Sequence, residues 1–168
     1  MKQDYQKFLT VALIALLVIA LDQYTKYLVT ASIPLYGRIE VIHGFFDLIH
    51  IRNSGIAFGL LKQFGSQYKV AAMLAVSAVA LVLLFVLVTQ VKKNQKLQLL
   101  CLSLILGGAA GNLIDRFRLG EVVDFLDVHW HDLYHWPAFN VADSAITVGI
   151  ILMLLDELFL KKNVKRKA

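Results

Sequence analysis

Four aspartates stand where long apolar stretches leave little room for charge. Asp22 interrupts an apolar run near the N-terminus, and Asp115 ends another. Asp124 lies within Val122-Val123-Asp124-Phe125-Leu126-Asp127, and Asp143 opens the last apolar run. Charge is costly at membrane depth, so each marks a candidate site of chemistry. Asp22 also has a plain structural reading, because Lys26 lies four residues on along one helix face. Asp115 and Arg116 likewise read as a paired charge cap. Asp143 reads as a helix N-cap, or as an N3 residue aiding the helix dipole if Asn140 is the cap. Neither reading accounts for Asp124 and Asp143 facing each other. Two close carboxylates share a proton, so one serves as base and the other as acid. The base takes a proton from water, the water attacks a carbonyl, and the acid protonates the carbonyl oxygen. The roles then reverse for the leaving amine, and the pair titrates as a unit. Asp124 and Asp143 are the candidate dyad.

The elements that must position them are membrane helices. The chain has 168 residues, 58% hydrophobic and 17% charged, with a mean hydropathy of +0.66. An ordinary soluble domain is about 45–50% apolar and about 25% charged, and disorder requires low hydrophobicity with high charge. The apolar excess falls in blocks at about 8–28, 70–91, 97–117 and 141–160. A bilayer core takes about 20 apolar residues as a helix, within a range of about 17–25. The expected fold is therefore an α-helical integral membrane protein, a single membrane domain over 1–168 with four transmembrane helices. Ala20-Leu21-Asp22-Gln23 offers no small-residue cleavage site, so the first block reads as a retained anchor rather than a cleaved leader. Cys101, the single cysteine, reads as a small buried hydrophobe and excludes an internal disulfide.

The net charge of +5 does not point to nucleic acid, because the basic residues sit beside the apolar blocks. Segments 1–7, 92–96 and 161–168 hold ten Lys and Arg in twenty positions, whereas the connections 29–69 and 118–140 hold five. The positive-inside bias places both termini and the 92–96 turn in the cytoplasm and both long connections outside. Around Arg38–Ile42 and Phe46–Ile51 the first connection alternates apolar and polar residues, which predicts short strands of a small extracytoplasmic sheet. Asn53-Ser54-Gly55 is a turn signal, and Ile56–Leu61 reads as a short interfacial helix.

Gly107 and Gly111 have the spacing that lets helices approach closely, with the third and the fourth as the expected pair. Asn53, Asn112 and Asn140 fall at the same outer boundary, where each could hold a substrate backbone or orient a carboxylate, or merely form a turn or cap. His129, His131 and His135 with Asp132 invite a metal reading. Their interleaving with Trp130, Tyr134 and Trp136 fits an aromatic belt at the headgroups better, and no metal or cofactor is expected. A proton-coupled transporter would spread acids through the membrane depth or repeat its halves, and the chain does neither. A non-catalytic scaffold would tolerate Asn at both 124 and 143.

Taken together, Leu21–Lys26, Asn53–Phe58, Gly107–Arg116, Val122–Phe125 and Phe139–Ser144 resemble bacterial lipoprotein signal peptidase, also called signal peptidase II. The resemblance runs in order over nearly the whole chain. Departures are mild: Ile56 stands where a small residue is common and Thr25 where Ser is common. The resemblance implies an intramembrane aspartic endopeptidase of the bacterial cytoplasmic (inner) membrane that is blocked by globomycin. Its implied substrate is a diacylglyceryl-modified prolipoprotein, cut just before the lipidated cysteine. Asp124 and Asp143 match the catalytic pair, and Asp22, Lys26, Asn53, Asn112, Arg116 and Asn140 match the supporting polar residues. It further implies a monomer, with membrane lipid around it and the active site at the extracytoplasmic face.

Overall fold

The computed structural model describes residues 2–54, 66–131 and 133–165. Four helices, α1 (Lys2–Ser32), α2 (Ser66–Gln90), α3 (Lys96–Leu119) and α4 (Val141–Lys165), fall on the expected apolar blocks. Three of them, over Tyr5–Ser32, Tyr68–Gln90 and Lys96–Leu119, are long and apolar enough to cross a membrane. In α4 the acids Asp143, Asp156 and Glu157 dilute the apolar run. The interfacial helix expected over Ile56–Leu61 lies outside the described residues.

Burial singles out α3 as the hub. In its most apolar stretch 44% of residues are buried, against 22% in α1 and none in α2. Glycine is what brings α3 so close to its neighbours. A Cβ on Gly107 would lie 2.8 Å from the Ala15 carbonyl of α1, and one on Gly108 would collide with the Ala142 carbonyl of α4. The expected approach of α3 to α4 is present, through Gly108 and Gly111, but Gly107 packs on α1 instead, and Gly111 also meets Asp22. The adjacent Gly107 and Gly108, which point to different sides of the helix, divide between the two partners.

A four-stranded antiparallel sheet lies over one end of the helices, with strands β1 (Arg38–Ile42), β2 (Phe46–Asn53), β3 (Val122–Trp130) and β4 (Tyr134–His135) in that order. The expected strands of the first connection are β1 and β2. β3 comes from the second connection, so the two connections are sewn together between β2 and β3. The sheet packs on the helices through Phe125, which joins Val29 and Ile33 at the end of α1. Nearby, His50 Nδ1 lies 2.8 Å from the Ile33 carbonyl and caps the end of α1. Gly120 ends α3 in the left-handed conformation at φ 74°, its N–H donating to the Arg116 carbonyl, and turns the chain directly into β3.

Candidate active site

The site is assembled where α1, α3, β3 and the first turn of α4 meet. Asn140 is the N-cap of α4, and its Oδ1 accepts from the Asp143 N–H at 2.9 Å. The Asp143 Oδ2 accepts in turn from the Asn140 N–H at 3.3 Å, which makes a reciprocal capping box. The same Asn140 side chain reaches Asp124, its Nδ2 donating to Oδ1 at 2.7 Å. The two aspartates therefore hang on one residue, Asp124 through its amide and Asp143 through the helix turn that it caps.

Each carboxylate has a second amide donor. Asn53, at the end of β2, donates to Asp124 Oδ2 at 2.7 Å. Asn112 on α3 donates to Asp143 Oδ1 at 2.8 Å. Asp124 is 1% exposed. Burial pushes its carboxyl from 3.8 up to about 6; the Asn53 hydrogen bond opposes this and the charge of Asp143 adds to it.

Beneath the pair lies a buried ionic cluster. Lys26 Nζ is 2.8 Å from Asp22 Oδ2, 2.8 Å from Asp115 Oδ2 and 3.0 Å from Asn112 Oδ1, which engages all three ammonium protons. The expected local pair of Asp22 with Lys26 is present, but it forms part of a larger arrangement. Asp22 Oδ1 accepts from the Ala142 N–H at 2.9 Å and thereby holds the start of α4 against α1. Asp115 does not pair with Arg116 as a helix cap; it accepts from Lys26 and from the Val123 N–H of β3 at 3.2 Å. Adjacent residues on a helix do not face each other, so Asp115 turns to Lys26 of α1 rather than to Arg116. Arg116 instead extends toward α2, its Nη1 lying 3.5 Å from Ser77 Oγ.

Gln23 is a member of the site that sequence reasoning does not single out. Its Nε2 donates to Asp115 Oδ1 at 2.8 Å and approaches Asp22 Oδ2 and the Gly111 carbonyl, both at 3.2 Å. Its place beside Asp22 is the available signal. Of the eight residues singled out, Asp22, Lys26, Asn53, Asn112, Asn140, Asp124 and Asp143 form one continuous hydrogen-bonded network. Arg116 touches it through the Asn112 carbonyl, at 3.4 Å.

The signal peptidase (SPase) II family profile matches residues 14–159, which takes in every element of this network. The chain belongs to the signal peptidase II family. Membership makes it a peptidase, and it closes the transporter and scaffold readings. The chain is 50% identical over 151 residues to a lipoprotein signal peptidase of Syntrophotalea carbinolica, covering 90% of this chain and 92% of that one. With a lipoprotein signal peptidase of Geobacter sulfurreducens it shares 46% identity over 168 residues, covering 100% and 99%. A bacterial membrane enzyme solved by the in meso method superposes with a TM-score of 0.78 at 34% identity, over 89% of this chain and 92% of that one. Signal peptidase II membership thus rests on sequence, and the fold is shared with a bacterial membrane enzyme.

Proposed function

We propose that this enzyme removes the signal peptide from diacylglyceryl-modified prolipoproteins, cutting just before the lipidated cysteine, with Asp124 and Asp143 as an activated-water dyad. The observation that carries this reading is the double role of Asn140, which ties both carboxylates into one rigid unit. Asp143, with Asn112 and the Asn140 N–H fixing its two oxygens, takes a proton from water. Asp124, whose carboxyl burial pushes up to about 6, gives a proton to the scissile carbonyl oxygen. The amide donors cost no reorganisation during the reaction because they are already placed. Asp22, Lys26, Asn53, Asn112, Arg116 and Asn140 position this pair.

In this reading α4 is the fourth span, its acidic residues lying at the two ends, and the chain is a single, monomeric membrane domain of the bacterial inner membrane. The basic ends at 1–7, 92–96 and 161–168 face the cytoplasm, so the sheet and the dyad lie at the extracytoplasmic face. A signal peptide presents its scissile bond at that surface, where water reaches it. The lipid of the substrate stays in the bilayer and the peptide reaches the site sideways. A cleft between α2 and the end of α3, lined by Lys69, Val70, Met73, Leu119 and Glu121, adjoins Ser54, next to Asn53, and supports such access.

The test is a gel-shift cleavage assay on a diacylglyceryl-modified prolipoprotein, with wild type, Asp124→Asn and Asp143→Asn at matched expression and thermal stability. Cleavage by wild type alone is expected. Near-wild-type cleavage by either variant overturns the dyad.

A further inference from the structure

The face of the sheet away from Asp124 carries a second cluster of acids and histidines that the peptidase reaction does not use. The strand register sets Glu40 opposite Asp47 and Asp47 opposite Asp127, a row of three acids across β1, β2 and β3. Like charges directly opposite each other destabilise a sheet. Asp47 is 0% exposed and Asp127 7%, so solvent does little to relieve the repulsion. Arg38, half-exposed, puts its Nε 2.7 Å from Asp47 Oδ2. His43 serves Glu40 at 2.7 Å, and Asp47 Oδ1 stays buried with no hydrogen-bond partner among the described residues.

His129, two residues from Asp127 and so on the same face, adds a sharper demand. Its Nδ1 lies 3.1 Å from the His131 carbonyl, which can only accept, so Nδ1 carries a proton. In the neutral ring Nε2 then bears a lone pair. That buried atom lies 3.2 Å from Asp47 Oδ2 without the geometry of a hydrogen bond. A lone pair facing a carboxylate in the dry interior calls for a cation between them.

We propose that Asp47, Asp127 and His129 bind a divalent metal ion of the zinc class. One ligand atom from each lies within 4.8 Å of the others. Ligands on a tetrahedral zinc at roughly 2.0–2.1 Å are about 3.4 Å apart, so modest side-chain rotations close the site. Its outer contacts are those a metal-bound histidine and carboxylate use. His129 gives its other nitrogen to a carbonyl, and His135 Nδ1 sits 3.1 Å from Asp127 Oδ2 while stacking on His129 at 4.7 Å. This assignment departs from the aromatic-belt reading of these histidines. The ion pins β2 to β3, the joint between the two connections that carry Asn53 and Asp124, and takes no part in peptide hydrolysis.

The test uses tag-free full-length protein in detergent, stripped with EDTA and then dialysed against Zn(II). Bound zinc is measured by mass spectrometry, and stability by a thiol-reactive dye at the buried Cys101. One zinc per chain and a raised Tm are expected, with at least tenfold weaker binding in Asp127→Asn and His129→Gln. His135→Gln weakens binding about tenfold, as loss of an outer contact does. Less than a tenth of an equivalent in wild type, or equal binding by wild type and His129→Gln, overturns the site and leaves a buried imidazolium between the carboxylates. Should the variants fail to fold, Co(II) in wild type decides: intense four-coordinate visible bands support the site, and the pale spectrum of the hydrated ion overturns it.

Discussion

Asn140 and Asp143 cap each other across the first turn of α4, with the Asp143 N–H on Asn140 Oδ1 at 2.9 Å and the Asn140 N–H on Asp143 Oδ2 at 3.3 Å. A helix start and a candidate catalytic carboxylate are therefore one piece of structure. The N-cap role that explains Asp143 without chemistry is also what fixes its oxygens for chemistry.

Capping and positioning by Asn140 can be separated. Serine is as good an N-cap as asparagine, whereas alanine costs about 1 kcal/mol. Asn140→Ser keeps the cap but loses the amide that donates to Asp124 Oδ1 at 2.7 Å. Asn140→Ser is expected to unfold at a higher temperature than Asn140→Ala, yet both variants lose cleavage by about 100-fold, the usual cost of slight misplacement. Thermal unfolding and single-turnover cleavage measured side by side test this. Wild-type turnover by Asn140→Ser would show that the amide positions nothing.

Lys26 pairs with both Asp22 and Asp115 inside the bundle, each at 2.8 Å. Removing one partner of a buried pair costs roughly 3–5 kcal/mol, because the charge left behind has no solvent. Lys26→Met strands two carboxylates and is expected to lower Tm well below that of wild type. Adding Asp115→Asn should recover part of the loss, since one stranded charge is removed. A double variant no more stable than Lys26→Met would count against the pairing.

Much of this is open to sequence reasoning, and the exceptions share a cause. The four helices follow from apolar runs, and β1 and β2 from alternation. β3 escapes because its first half, Val122, Val123, Asp124 and Phe125, is buried on both faces and shows no period of two. Sequence proximity assigns Asp115 to its neighbour Arg116, whereas its partners Lys26 and Gln23 are 89 and 92 residues away. Local rules find caps and i,i+4 pairs; they do not find which helices meet. Asp22 with Lys26 is legible for that reason, and the closure of the network through Asn112 is not.

Gly111 tests how closely the helices must approach. A Cβ there would sit 2.7 Å from Asp22 Oδ2, the oxygen that receives Lys26. Gly111→Ala must push Asp22 away from Lys26 and from the Ala142 N–H, and overpacking of this kind costs about 1–3 kcal/mol. Gly108→Ala meets backbone, the Ala142 carbonyl, which cannot rotate aside. Tm is expected to fall in the order wild type, Gly111→Ala, Gly108→Ala, with α4 displaced in both. The opposite order of the two variants would mean that the α3–α4 contact yields more readily than the Asp22 site.

The pH dependence of stability should carry the mark of Asp124. Its carboxyl is pushed from 3.8 to about 6, mainly by burial, so between those values the folded enzyme holds a proton that the unfolded chain has released. Where the folded state binds more protons, stability falls as pH rises. This contribution is fully present below about pH 4, is lost progressively toward pH 6, and then stays constant. A shift of this size corresponds to about 3 kcal/mol. Asp124→Asn cannot titrate at this position, so subtracting its Tm from that of wild type at each pH removes every group not coupled to Asp124. The wild-type Tm minus the Tm of Asp124→Asn is expected to decrease between about pH 4 and 6 and to flatten above. A difference that stays level across this range, or that increases with pH, would mean that Asp124 is no harder to ionise in the folded enzyme than in the unfolded chain, and the acid of the pair would then have to be Asp143.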